Sequence, residues 1–359
     1  MLVGGEGTRL RPLTWTMPKQ MLPVVEVTMI ERVLGHLAAF GVEDAILSMG
    51  YRPDVFVDAF PEGRAAGVRL TYAVEPEPLD TAGAIRFAAT AGAIDDTFLV
   101  LNGDVLTDVD IDALVDVHRD RNAEGTIHLA RVDDPSAFGV VPTDERGRVI
   151  AFVEKPPPGE APTDFINAGT YVLEPSVLDR IPGERRVSIE REVFPAMVAD
   201  GSLYAMPSPA YWIDTGVPAK YLQAQLDLLD GTRGHDVPAP GASRRGDGVW
   251  TLGAAVINGP VTPPSLIGDA AFIAAGATVE RSVVGAGARV HDGAVVRNSV
   301  LLPGAAVREG ATVEDSIVGE AAVIGERAKL QRLTVVGGGQ SVAPGAHHDG
   351  DRVGNPAAG

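Results

Sequence analysis

A chain of 359 residues with a formal net charge of −18 is long enough for two domains, each with its own core, and too acidic for nonspecific binding to nucleic acid or to an anionic membrane surface. It has no cysteine, which removes disulfides, zinc-thiolate centres and thiol nucleophiles from consideration. No apolar run reaches the roughly 20 residues of a membrane span, and no signal-peptide pattern precedes the first motif, so a cytoplasmic protein with no nucleic-acid or membrane partner is expected. The first apolar run, Met1-Leu2-Val3, is shorter than a usual strand of about five or six residues, which predicts a weakly held first strand and a true start that lies upstream. In 30–40, Ile30, Val33, Leu34, Leu37 and Ala38 keep the spacing of an amphipathic helix, and Gly41 ends it. Strands over 45–49, 68–74 and 97–101 then alternate with helices over 54–60, 81–93 and 110–121, the pattern of helices covering a largely parallel sheet. From Thr126 the pattern shifts to shorter strands at 127–131, 139–142, 149–153 and 166–173, closed by helices at 189–198 and 218–229. An α/β domain over 1–230 is expected, then a Gly-, Pro- and charge-rich linker over 231–250.

Beyond the linker the rules change. Aliphatic residues recur at Val261, Ile267, Ile273, Val279, Val284, Val290, Val296, Leu302, Val307, Val313, Val318, Ile324, Leu330, Val336 and Val342, every step six residues except three of five. That period predicts a β-helix of three short strands per coil over 251–345, with the aliphatic side chains stacked inward, and a polar tail over 346–359 that carries His347 and His348 in solvent.

Several short stretches carry candidate chemistry. Gly4, Gly5 and Gly7-Thr8-Arg9 make a strand-to-loop transition in which backbone N–H groups can approach anionic oxygens without Cβ interference. Arg9, Arg11 and Lys19 supply the positive charge that a triphosphate requires in so acidic a chain, and the spacing matches neither a Walker loop nor GxGxxG. Asn102-Gly103-Asp104 follows the strand 97–101, so Asp104 falls at a carboxyl end, where open α/β sheets bind ligands. Asp214, in Tyr211-Trp212-Ile213-Asp214-Thr215-Gly216, precedes the last helix of the domain. Taken singly, either aspartate is more often a turn former or a helix cap. Glu154-Lys155-Pro156 sits at the end of the strand 149–153, where a neighbouring Glu and Lys are usually plain surface. Gly139 reads equally as a bulge glycine.

GGEGTRLRPLT with PK at 18–19 resembles the signature of the sugar-phosphate nucleotidylyltransferases, and later motifs extend the resemblance across 1–230. Within that family the chain is most similar to the bacterial mannose-1-phosphate guanylyltransferases. The resemblance implies a Rossmann-like nucleotidyltransferase domain with a mixed sheet, followed by a left-handed hexapeptide-repeat β-helix. It also implies Mg²⁺-dependent transfer of a nucleoside monophosphate from a triphosphate, here GTP, to a sugar 1-phosphate, here mannose 1-phosphate. Gly4, Gly5, Gly7, Thr8, Arg9, Glu75, Thr81 and Gly83 would then hold the nucleotide. Gly139, Glu154, Lys155 and Asn167 would hold the sugar phosphate. Arg9, Lys19, Asp104 and Asp214 would be catalytic, the two aspartates as the metal ligands of NGD and WxDxG. In EPEPLDTAGA at 75–84 the family usually reads LGTAG, so Asp80 stands where a glycine is expected and the base contacts stay open.

Three other readings stand beside this one. Thymidylyl or uridylyl transfer to glucose 1-phosphate uses the same motifs. A non-catalytic regulatory subunit would bind nucleotide-sugar, although Arg9, Lys19, Asp104 and Asp214 are all present. The β-helix could also be an acyltransferase, a chemistry such helices host. Its flat faces and open end predict a homo-oligomer.

Overall fold

The computed structural model describes residues 1–183, 185–234 and 238–354, so the expected linker and tail lie partly outside the described residues. The chain forms two compact units, and neither is one continuous stretch: Met1–Gly5 with Ile30–Ile213 make the first, Glu6–Met29 with Asp214 onward the second.

The first unit is built on a mixed sheet. Asp44–Met49 pairs in parallel with Val68–Val74, and Leu2 bridges in parallel to Ser48 on one side and Asn102 on the other. Phe98–Leu101 runs antiparallel to Phe165–Leu173, which runs antiparallel to Gly125–Arg131, and that strand is parallel to Leu203–Pro207. The short first run is therefore central and bonded on both edges. Leu2 N donates to Leu101 O at 2.9 Å, Val3 N to Ser48 O at 3.0 Å, and Leu2 O accepts from Gly103 N at 3.0 Å. Shortness is offset by position, and the expectation of a weakly held strand is corrected on that ground.

Helices α1 (Met29–Ala39), α2 (Pro53–Ala59), α3 (Asp80–Ala91), α4 (Ile111–Asp120) and α5 (Phe194–Asp200) follow the sequence-based expectation to within a few residues. Asp110 begins α4 by accepting a hydrogen bond from Ala113 N, and α4 buries Ile111, Leu114 and His118. A π-helical turn, Ile189–Val193, leads into α5. Ile127, Leu129, Tyr171 and Leu173 of the sheet pack with Ile189, Val193, Phe194 and Met197 to form the core that fixes the strand ends.

The second unit is a parallel β-solenoid together with the segment 6–29 and α6 (Pro218–Leu229). Three parallel sheets run its length, from Val249–Thr251 to Arg352–Val353. Fully buried Val284, Val290, Val296, Leu301, Val307, Val313, Val318, Ile324, Leu330 and Val336 stack inside. The inward residue is thus Leu301 and not Leu302, a correction to the expected phase. At that corner Ser265, Ser282, Ser299 and Ser316 form a buried ladder, each later serine donating its N–H to the Oγ of the serine before it. From Leu266 to Ile317 the coils repeat after seventeen residues, the serine corner being where the missing residue is saved, whereas Ile317 pairs with Val335 after a full eighteen.

Two boundaries also differ from expectation. Strands His347–Asp349 and Arg352–Val353 carry the solenoid past 345, and His348 Nδ1 lies 2.8 Å from Asp351 Oδ2 in a half-buried setting instead of free solvent. Ser243–Arg244, inside the expected linker, pairs with Val249–Thr251. Residues 6–29 do not belong with the α/β core. Gln225 of α6 accepts from Val25 N at 2.6 Å and donates to Pro23 O at 2.8 Å, and Glu26 accepts from Ala286 N of the solenoid at 3.0 Å.

Candidate active site

The chain crosses between the units at Gly5–Glu6, at Met29–Ile30 and at Ile213–Asp214, the first and last of these within the motifs that carry Arg9 and Asp214. In the second unit Gly7 has φ 62, and a Cβ on it would lie 3.1 Å from both Lys19 Cβ and Thr14 Cγ2. Buried Thr14 donates its hydroxyl to Gly7 O at 2.7 Å and so fixes that turn. Thr8–Leu10 is a single 3₁₀ turn that leaves the Arg9 side chain 62% exposed, with Nη2 at 3.8 Å from Asp214 Oδ2. Asp214 Oδ1 accepts from Gly216 N at 2.8 Å. Asp214 is therefore a turn residue, and Val217 occupies the N-cap of α6. A Cβ on Gly216 would stand 2.7 Å from Arg9 Nη2 and 2.8 Å from Asp214 Oδ1, so a side chain there would shift the guanidinium from this position. Sequence reasoning quoted Gly216 inside its motif without giving it this part. Lys19 opens the turn Lys19–Met21 directly after Pro18.

In the first unit Gly4 lies against Gly50 and Glu75, where a Cβ would be 3.1 Å from Gly50 N and 3.3 Å from Glu75 Oε1. Glu75 accepts from Ser48 Oγ at 2.9 Å and from Leu79 N at 3.1 Å, holding the turn that follows its strand. Thr81 donates to Glu190 at 2.7 Å and accepts from Ile189 N at 2.8 Å. Gly83 is buried, and a Cβ there would be 2.9 Å from Leu79 Cβ. Thr81 and Gly83, expected on the nucleotide, are thus engaged inside the unit, where they draw α3 onto 185–189. Asp80 has φ 62, a conformation suited to glycine and tolerated by aspartate, which explains its place in the motif.

Asn102-Gly103-Asp104 emerges from Phe98–Leu101 against a bulge in Phe165–Leu173 between Asn167 and Tyr171. Asn102 N donates to Gly169 O at 2.9 Å, and at Gly169, φ 76, a Cβ would fall 2.6 Å from Asn102 Nδ2. Asn167 accepts from Gly169 N at 3.0 Å and donates to the Tyr171 hydroxyl at 2.9 Å. Burial, with the negative charge of Glu190 and Glu154 nearby, pushes the Tyr171 phenol well above its usual range and keeps it neutral. Trp212 Nε1 donates to Ala168 O at 2.9 Å and its ring meets Phe138 edge-on. Glu154 lies within the strand Val153–Glu154, opposite Gly139, and the strand is shorter than the expected 149–153. A Cβ on Gly139 would be 2.7 Å from the Phe152 ring and 3.0 Å from Glu154 Oε2, so this glycine makes room first for the ring and then for the carboxylate. Lys155, with φ 50 and a 60% exposed side chain, sets Nζ 3.5 Å from Glu154 Oε1. Carboxylate, amide and ammonium groups on one sheet end suit a polyol bearing a phosphate. Among the described residues no three His, Cys, Asp or Glu side chains converge as a metal cage. One or two carboxylates that leave the other ligands to substrate phosphates are the donor set that Mg²⁺ accepts.

Residues 1–231 match the Nucleotidyl transferase family and residues 261–354 the GMPPB C-terminal domain, and the chain belongs to the nucleotidyl transferase family. It is similar to the mannose-1-phosphate guanylyltransferase of Mycobacterium tuberculosis, 44% identical over 78% of this chain and 82% of that protein. It is also similar to the mannose-1-phosphate guanyltransferase of Schizosaccharomyces pombe, 43% identical over 68% of each. Among solved structures, HddC from Yersinia pseudotuberculosis complexed with GMP-PN is 30% identical, with a TM-score of 0.54 over 62% of this chain and 96% of that one. No helix among the described residues is long and apolar enough to cross a membrane.

Proposed function

We propose that this chain makes GDP-mannose from GTP and mannose 1-phosphate, releasing pyrophosphate. The observation that carries the reading is the Gly7–Lys19 turn beside Asp214, a loop that presents Arg9 from a fixed backbone, in a chain whose relatives bear that activity in their names. In this reading Gly4, Gly5, Gly7 and Thr8 offer backbone to the triphosphate, Arg9 and Lys19 neutralise it, and Glu75, Thr81 and Gly83 shape the turn beside the base. Gly139, Glu154 and Asn167 face the mannose hydroxyls, and Lys155 takes its phosphate. Asp104 and Asp214 would hold Mg²⁺, which supplies charge neutralisation and orientation at the α-phosphate when bound. A phosphate oxygen of the sugar attacks the α-phosphorus in line, the bond to the bridging oxygen breaks, and pyrophosphate leaves with that electron pair. No general base is required, since the sugar phosphate is already an anion at neutral pH. The same reading places the enzyme in the cytoplasm, as a homo-oligomer joined through the solenoid.

The test is pyrophosphate release with Mg²⁺, five nucleoside triphosphates and a panel of sugar 1-phosphates. GTP with mannose 1-phosphate is expected to be fastest. Preference for thymidine or uridine triphosphate with glucose 1-phosphate would favour the alternative transferase, and no release with any pair would favour a regulatory subunit.

A further inference from the structure

Residues 8–22, which carry Arg9 and Lys19, lie in the second unit with the solenoid. A Cβ on Gly354 would stand 2.5 Å from Trp15 Cζ3 and 3.0 Å from Pro12 Cβ. A Cβ on Gly337, seventeen residues earlier and one coil below, would stand 3.0 Å from the same Pro12 Cβ. Farther along the solenoid, Ala286 N donates to Glu26 Oε2 at 3.0 Å. Between these anchors the contact is open: a cavity of about 480 Å³ separates Leu13, Met17 and Met21 from Leu302, Pro303 and Glu320. The backing of the loop by the solenoid is therefore interrupted at that cavity. The contacts to Pro12 and Trp15 are made to glycines, and a Cβ on either glycine would collide with them.

We propose that Gly337 and Gly354 form a seat for Pro12 and Trp15, and that through it the solenoid acts as the positioning element for Arg9 and Lys19. These four are positioning residues, because they touch neither nucleotide nor sugar in the reading above, on which this inference rests for its kinetic consequence. A side chain at Gly354 displaces the indole, which lies between the two cations in sequence, and the displacement reaches both. The sugar-binding groups Glu154, Lys155 and Asn167 lie in the other unit and are left alone.

The experiment compares full-length wild type, Gly354→Val, Trp15→Ala and the double variant, with the exposed solenoid residue Ala275→Val as a control, by amide hydrogen exchange and by steady-state kinetics. Gly354→Val is expected to speed exchange in 8–22 while the solenoid strands stay protected. The kcat/KM for the triphosphate should fall at least tenfold with KM for the sugar 1-phosphate within twofold. The double variant should be no worse than Trp15→Ala, since valine then occupies space the indole has left. Gly354→Ala repeats the comparison with the smallest side chain if valine disrupts the last coil. Unchanged exchange in 8–22, equal loss on both substrates, or multiplicative losses in the double variant would each overturn the seat. The exchange result stands whichever triphosphate the enzyme uses, so failure of the guanylyl reading and failure of the seat are told apart.

Discussion

Asp104, Asp214, Arg9 and Lys155 are single residues whose separate parts can be tested separately. Asp104→Asn and Asp214→Asn each keep shape and remove a charge, so turnover should fall about 10²-fold or more with the unfolding transition unmoved. Near-normal rates at saturating Mg²⁺ in both would end the metal assignment. Lys155→Ala should raise the KM for the sugar 1-phosphate on the order of tenfold, from loss of a charge-assisted hydrogen bond worth about 1.5–3 kcal/mol, while Arg9→Ala acts chiefly on the triphosphate. His128 concerns stability instead. It is fully buried, neither ring nitrogen has a hydrogen-bond partner among the described residues, and burial pulls its pKa down to about 4. The unfolded chain takes up a proton below about 6.5 and the folded one only near 4, so stability is lost as pH falls through that window, by up to about 3 kcal/mol. His128→Leu should abolish this loss and leave the protein as stable or up to about 2 kcal/mol more stable at neutral pH. Urea midpoints at pH 5 and 7.5 decide it, and an equal drop in both proteins would show that another group titrates. The candidate motifs could be picked out because their spacing is local. Gly216 as the space for Arg9, and Thr81 as a clasp on 189–190, were not, because each depends on a partner far away in sequence.

At the scale of elements, what could be read was periodicity. The alternation of strands and helices through 121 and the aliphatic stack of the solenoid were both visible in the chain. The short strands Val105–Thr107, Leu203–Pro207 and Trp212–Asp214 were not, since three to five residues seldom show a period. The slip between Leu301 and Leu302 has a different cause: the two leucines are alike and both are buried, and what separates them is the serine corner. Ser299 Oγ donates to Arg297 O at 2.6 Å and accepts from Ser316 N at 3.0 Å, with the residue fully buried. Ser299→Ala leaves both groups without that bond, at a cost of about 1–3 kcal/mol. The solenoid is stabilised by neighbouring coils, so the loss should appear first as faster amide exchange at Ser316 and the adjoining coil, together with a lower denaturation midpoint. Unchanged exchange there would mean that the ladder contributes nothing.

For the whole molecule, the expected boundary near 230 follows the chain, whereas the contacts do not. Composition and period change at the linker, and that change is what a sequence displays; the pairing of 6–29 with a solenoid more than two hundred residues later leaves no local mark. The consequence is a different expectation for truncation. None of the residues assigned to substrate or metal lies beyond Asp214, which by itself would let a protein ending at Gly231 bind nucleotide. Yet that truncation removes Gly337 and Gly354 from Pro12 and Trp15, and Ala286 N from Glu26, leaving 6–29 without its solenoid contacts and held within its unit from 214–231, where Asp214 faces Arg9 and Gln225 bonds Pro23 and Val25. Pro12 and Leu13, buried in the full chain, lose cover on the solenoid side. The truncated form should therefore be a smaller species by light scattering, be cleaved rapidly by protease within 8–22, and bind GTP at least tenfold more weakly than the full chain. Full affinity in a folded truncated form would show that the α/β core and α6 set the loop by themselves, and that the solenoid serves assembly only.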